Sequence, residues 1–157
     1  MRVPVSVFII ARNEADRIHR TIEAVSGWVD EVIVVVGSSS DNTIEVAEKA
    51  GARVVVNQWT GFGQQKRFGE SQCRNDWILN IDADEVVTDE LRREIVKLFE
   101  RGMPDRVAYG MPVELVYPGK AKPRRWAHDH WCVRLYDKRV VRFRNNALFD
   151  SVVTESH

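Results

Sequence analysis

Trp77-Ile78-Leu79-Asn80-Ile81-Asp82-Ala83-Asp84-Glu85 runs five largely apolar residues straight into three carboxylates within four positions. A short apolar run that breaks into a charged turn is what a strand buried on both faces looks like where it leaves a sheet. Thr88 then caps a helix, with Leu91, Ile95, Leu98 and Phe99 facing inward and Gly102 as its stop.

The same unit recurs upstream. Val3 to Ile10 is a strand-length apolar run, and Asn13 is the expected N-cap of a helix carrying Ala15, Ile18, Ile22 and Val25. Glu31 to Val36 is a second strand. Ser38 to Asp41 then caps a helix with Ile44, Ala47 and Ala50 on one face and Gly51 as its end. Ala52 to Val56 is a third strand, and Gly61 to Arg74 reads as loop then helix. Strands alternating with helices across short connections predict an α/β fold, with a mostly parallel sheet and helices on both faces. Past Gly102 the helices stop. Val107–Tyr117, Trp131–Tyr136 and Val140–Phe149 read as strands of a more antiparallel C-terminal part.

A length of 157 residues suits a single domain, with residues 1–102 and 103–157 as its two halves. No apolar run approaches the roughly 18–20 residues that span a bilayer. The first residues lack the build of a signal peptide, and Cys73 and Cys132 are isolated, so a cytoplasmic setting is expected. The formal net charge of zero conceals a division: residues 1–100 carry 12 basic and 17 acidic side chains, and residues 101–157 carry 11 and 6. Two jobs on one domain are implied.

Ligands of open parallel sheets bind beyond the carboxyl ends of the strands. Four such ends are polar here: 11–14, 37–41, 57–63 and 82–85. Asp82, Asp84 and Glu85 would repel one another at low dielectric. A hard divalent cation would relieve that repulsion and hold a substrate diphosphate. The alternative is a solvated approach to the next helix.

Taken in order, Ile9-Ile10-Ala11-Arg12-Asn13-Glu14, the stretch from Glu31 to Thr43, Asn57-Gln58-Trp59-Thr60-Gly61-Phe62-Gly63-Gln64-Gln65-Lys66 and residues 77–85 resemble the family-2 glycosyltransferases of GT-A fold. Within these they resemble bacterial enzymes that add a β-linked glucose to the lipopolysaccharide inner core. The match extends more loosely through Val133-Arg134-Leu135-Tyr136 to Ala147–Val153.

The resemblance implies an inverting transfer of a hexose, glucose first, from a UDP-sugar to a saccharide hydroxyl. It places Ala11, Arg12 and Glu14 by the uridine, Lys66 by the nucleotide and diphosphate, and Asp82 by the ribose or sugar. Asp84 would coordinate Mg²⁺ or Mn²⁺ between the phosphates, and Glu85 would either assist by contact with its neighbours or, the preferred reading, face solvent. Asp150, in Leu148-Phe149-Asp150-Ser151-Val152, stands where the family carries its base, with Phe149 in place of a histidine. Val36 stands where the family has an aspartate that reads the uracil edge, so donor recognition is expected to be weakened, shifted to backbone groups or directed to another base. The relatives also continue into a helical, membrane-associating tail, so a truncated or minimal form is expected.

The cationic stretch Lys120-Ala121-Lys122-Pro123-Arg124-Arg125-Trp126, followed by His128, His130 and Trp131, suits an anionic or lipid-linked saccharide acceptor and peripheral contact with a membrane. No nucleic-acid module surrounds it, so nucleic acid is not an expected partner. A nucleotidyltransferase would need a glycine-rich basic loop after the first strand, which Ala11-Arg12-Asn13-Glu14 is not. A sugar-nucleotide- or saccharide-binding module without catalysis is the other alternative, favoured by Val36.

Overall fold

The computed structural model describes residues 2–120, 122, 130–145 and 151–154. Strands β1 (Val3–Ala11), β2 (Val29–Val36), β3 (Arg53–Val56) and β4 (Trp77–Asn80) are parallel neighbours. Each is followed by a helix: α1 (Ile18–Ser26), α2 (Thr43–Lys49), α3 (Phe62–Gln72) and α4 (Asp89–Phe99). Two further strands, β5 (Ala108–Val113) and β6 (His130–Asp137), complete a sheet of order β3-β2-β1-β4-β6-β5, with β6 antiparallel to both its neighbours. A separate antiparallel pair joins β7 (Val141–Phe143) to β8 (Val152–Thr154).

The period-two alternation of strands sorts the core onto two faces. Val5, Val7, Ile9, Val32, Val34 and Val36 pack with the inward residues of α1, α2 and α4. Phe8, Ile10, Ile33, Val35, Ile78 and Tyr136 pack on the other side, with Cys73 just past α3 and with Val141 and Phe143 of β7. Helix α3 lies so close to the sheet that a Cβ added at Gly69 would come within 2.6 Å of the Phe8 ring.

The β1 chain leaves toward β2 on one side, while β4 lies on its other side. That reversal opens a crevice beyond the carboxyl ends of β1 and β4, where open α/β sheets bind ligands.

Several expectations are corrected. Asn13 is no N-cap, because α1 begins only at Ile18. Instead Asn13 takes a left-handed φ of 54°, and its side-chain oxygen accepts the Ser40 N–H at 2.8 Å. Thr43 Oγ1 accepts the Glu14 N–H, and Asp41 accepts the N–H groups of Ala15 and Thr43. The acid-rich stretch thus clasps two strand-end loops together instead of starting a helix. Ile44 is exposed, and α2 buries Thr43 and Ala47. β5 ends at Val113, leaving Leu115, Val116 and Tyr117 exposed, and β7 stops at Phe143. Edge strand β3 is only half covered, with Val56 outward.

Candidate functional site

Beyond β1 and β4 lies a pocket of about 290 Å³, lined by Ile10, Ala11, Arg12, Glu14, Trp59, Phe62, Asp82, Ala83 and Asp84. Five of the residues expected at the donor site from sequence therefore meet: Ala11, Arg12, Glu14, Asp82 and Asp84. Ala11 is buried as the last residue of β1. Arg12 is exposed and donates from Nε to the Ser38 carbonyl at 3.2 Å. Glu14 accepts from Arg17 Nε at 2.6 Å.

The two aspartates of one short turn occupy opposite electrostatic settings. Asp82 is held between Lys66 Nζ at 3.1 Å and Arg134 Nη2 at 3.2 Å. Burial disfavours its charge, but the Lys66 and Arg134 cations outweigh that and keep its carboxyl below the usual range. Asp84 is largely exposed, and Arg17 approaches it only to 4.0 Å. Its carboxylate remains available as a hard oxygen ligand. Among the described residues no group of three or more His, Cys, Asp and Glu side chains could hold a metal unaided. The exposed Asp84 carboxylate supplies one hard oxygen donor of the kind that divalent cations such as Mg²⁺ take singly or in pairs.

Lys66 does not line the pocket. It is 1% exposed on the inner side of α3, reaching Asp82 from behind and lying 5.0 Å from the Phe143 ring centroid. Of the two expectations for Glu85, the preferred one, facing solvent, is corrected in favour of the supporting contact: Oε2 accepts the Asp82 N–H at 2.8 Å and Oε1 accepts from Arg134 Nη2 at 2.6 Å. Burial raises its pKa, outweighing the pull of Arg134. Asp82 and Glu85, three residues apart, are thus shifted in opposite directions.

A second hollow of about 600 Å³ adjoins the first, sharing Asp82 and bounded by Glu85, Arg134, His130, Trp131 and Ser151. Asp150, Arg124, Arg125, Trp126 and His128 lie outside the described residues. Val36 is fully buried on the α1/α2 face and is absent from the pocket wall.

Sequence reasoning missed Arg134, Trp59 and Phe62 as site residues, and missed Glu70, which lines neither hollow, as a buried support behind them. Arg134 carries a signal, being a lone charge in the apolar strand run Val133–Tyr136. Glu70 lies one helical turn beyond Lys66, and a second buried charge on the same helix face is a comparable signal.

Among the described residues no helix is long and apolar enough to cross a membrane. Residues 6–154 match the family described as glycosyl transferase family 2. Over 153 residues the chain is 46% identical to an uncharacterized glycosyltransferase of Rickettsia felis, covering 95% of this chain and 54% of that one. LpsC of Rhizobium meliloti, a lipopolysaccharide core biosynthesis glycosyltransferase, is 33% identical over 102 residues, covering 62% and 37% of the two chains. The chain spans about half the length of the Rickettsia relatives it matches. Among solved structures, glucosyl-3-phosphoglycerate synthase from Mycobacterium tuberculosis, in complex with Mn²⁺, UDP and glucosyl-3-phosphoglycerate, is similar at TM-score 0.53. Identity there is 29%, over 62% of this chain and 40% of that one. By the breadth of the family match and the shared α/β architecture, the chain belongs to glycosyl transferase family 2 and folds as a GT-A-like domain.

Proposed function

We propose that this chain is one domain, residues 1–102 holding a UDP-sugar and residues 103–157 the acceptor, and that it transfers a hexose, glucose first, with inversion. The observation that carries the reading is the division of labour between Asp82 and Asp84. One carboxylate is neutralised by Lys66 and Arg134, while the other stays open at the pocket. An acid whose charge is already balanced orients a hydroxyl by accepting its hydrogen bond, so Asp82 takes the ribose or sugar. Asp84 holds Mg²⁺ or Mn²⁺ with the diphosphate, and Ala11, Arg12 and Glu14 adjoin the nucleoside. When bound, the cation supplies neutralisation of the charge that develops on the departing diphosphate. Lys66 and Arg134 add positive potential from behind Asp82 in a poorly solvated setting.

Asp150 is the proposed base for the acceptor hydroxyl. The basic C-terminal half favours an anionic or lipid-linked saccharide acceptor, such as lipopolysaccharide core, reached by peripheral contact at the cytoplasmic face of a membrane. The named activity of LpsC and the UDP and Mn²⁺ or Mg²⁺ crystallised with the mycobacterial synthase support the reading.

Calorimetry with UDP, with and without Mn²⁺, tests the donor site. Metal-strengthened binding that Asp84→Ala removes is expected; unchanged binding in that variant refutes the site. Asp150→Asn should retain UDP binding and lose transfer, and surviving transfer would displace Asp150 as base. The buried Val36 favours a second reading, a binding module without transfer. It predicts saccharide or nucleotide binding with no turnover of any sugar nucleotide.

A further inference from the structure

Two aromatic side chains stand in the wall of the 290 Å³ pocket: Trp59, from the connection after β3, and Phe62, the first residue of α3. They meet edge to face, with centroids 4.9 Å apart and planes at 88°, and so form a corner. Phe62 is 52% exposed. Trp59 is seated against the backbone that follows β2, since a Cβ added at Gly37 would lie 3.4 Å from its Cε3.

Position along the rim identifies what the corner would hold. Across the sheet order β3-β2-β1-β4-β6, the rim presents Trp59 and Gly37, then Ala11 and Arg12, then Asp82 and Asp84, then Arg134 from within β6. Asp82 belongs to both hollows, so the transferred sugar sits at the β4–β6 boundary, where it can meet an acceptor. The diphosphate lies at Asp84. The opposite end of the donor, its base, then falls at the β2–β3 end. Among the described residues at that end, Val36 is sealed in the core, Glu14 accepts from Arg17, and Asp41 accepts the Ala15 and Thr43 N–H groups. What that end offers is aromatic faces.

We infer that the Trp59–Phe62 corner is the seat of the nucleobase, which is bound by its face and not by its edge. The inference rests on the pocket being a sugar-nucleotide site. Stacking on an aromatic ring tolerates any base, because every base has a π face.

The test titrates the full chain with UDP, with CDP and with inorganic pyrophosphate, all in Mg²⁺, by calorimetry. Trp59→Ala should weaken UDP about five- to a hundredfold, and Phe62→Ala severalfold, from the range of base–aromatic stacking. Neither should move pyrophosphate binding, and Trp59→Phe should restore most of the UDP affinity. UDP and CDP, alike in face and unlike in edge, should bind the wild type within about tenfold of each other. UDP binding unchanged in both alanine variants, or a loss matched by pyrophosphate, overturns the aromatic seat while leaving the sugar-nucleotide site intact. Wild-type protein that binds neither nucleotide overturns both.

Discussion

Replacing Glu70 by alanine should cost the fold about 3–5 kcal/mol, a large part of the 5–15 kcal/mol typical of a domain. The side chain is fully buried between α3, β6 and β7. Its Oε1 accepts from Tyr136 Oη at 2.7 Å and from the Phe143 N–H at 2.9 Å, and its Oε2 accepts from Arg142 Nε at 3.0 Å. Truncation leaves the Tyr136 hydroxyl and the Phe143 N–H buried without their acceptor, at about 1–3 kcal/mol each. Arg142 is partly exposed and rehydrates, so its loss adds little. Vacated side-chain volume supplies the rest. Urea unfolding at neutral pH reads the difference, and a loss below about 1 kcal/mol with an unchanged m-value refutes the hub.

The conservative change separates hydrogen bonding from charge. Glu70→Gln keeps a carbonyl oxygen for Tyr136 and Phe143 but carries no proton equilibrium. Burial raises the Glu70 pKa, and the bonds from Tyr136, Phe143 and Arg142 only partly offset it. A raised folded-state pKa means that the native chain holds the proton more tightly than the unfolded chain. The contribution is therefore complete below the unfolded carboxyl pKa and is lost as pH rises through the folded value. The stability advantage of wild type over Glu70→Gln should shrink from acid toward neutral pH. An advantage that grows with pH would show the native carboxylate to be stabilised by its donors, against the reasoning above.

Three further outcomes are expected. Gly69→Ala forces a methyl to within 2.6 Å of the Phe8 ring and should cost about 1–3 kcal/mol, seen as a lower melting temperature. Thr88→Ala removes the oxygen that accepts the Leu91 N–H at 3.2 Å and should cost about 1 kcal/mol in urea unfolding. Arg134→Lys shortens the side chain by one atom and removes Nη1, which donates to Asn80 Oδ1 at 3.4 Å, so the ammonium holds Asp82 and Glu85 less well than the guanidinium Nη2 that now serves both; sugar transfer should slow about tenfold while the protein stays folded by circular dichroism.

The parallel half of the fold was legible because strands buried on two faces must be apolar along their whole length. The runs at 3–10, 31–36, 52–56 and 77–81 fall almost on the observed β1 to β4. The antiparallel part was less so. An apolar run from Val107 to Tyr117 says nothing about where its partner ends, and pairing with β6 stops at Val113 opposite His130. The start of α1 was misplaced for a related reason: Asn and acidic residues serve helix caps and loop clasps equally, and only contact with residues 39–43 decides which.

At the site, proximity in sequence was readable and proximity in space was not. Asp82 and Asp84 announce themselves, but of the two cations that balance Asp82, Lys66 and Arg134, the second arrives from 52 residues away. A stronger signal lay in α3. A helix packed on a sheet should turn an apolar stripe inward, yet α3 buries Gly63, Gln65, Lys66, Gly69 and Glu70. Glycines on that stripe permit close approach, and close approach leaves no water for a lysine or a glutamate. Buried charges need partners, so this composition requires an acid and hydrogen-bond donors on the facing strands. They are Asp82 after β4, Tyr136 on β6, and Arg142 and the Phe143 N–H on β7. One helix face therefore joins the donor carboxylate to the strand pair that brackets residues 144–151. Any displacement of α3 would disturb both ends of the proposed reaction together.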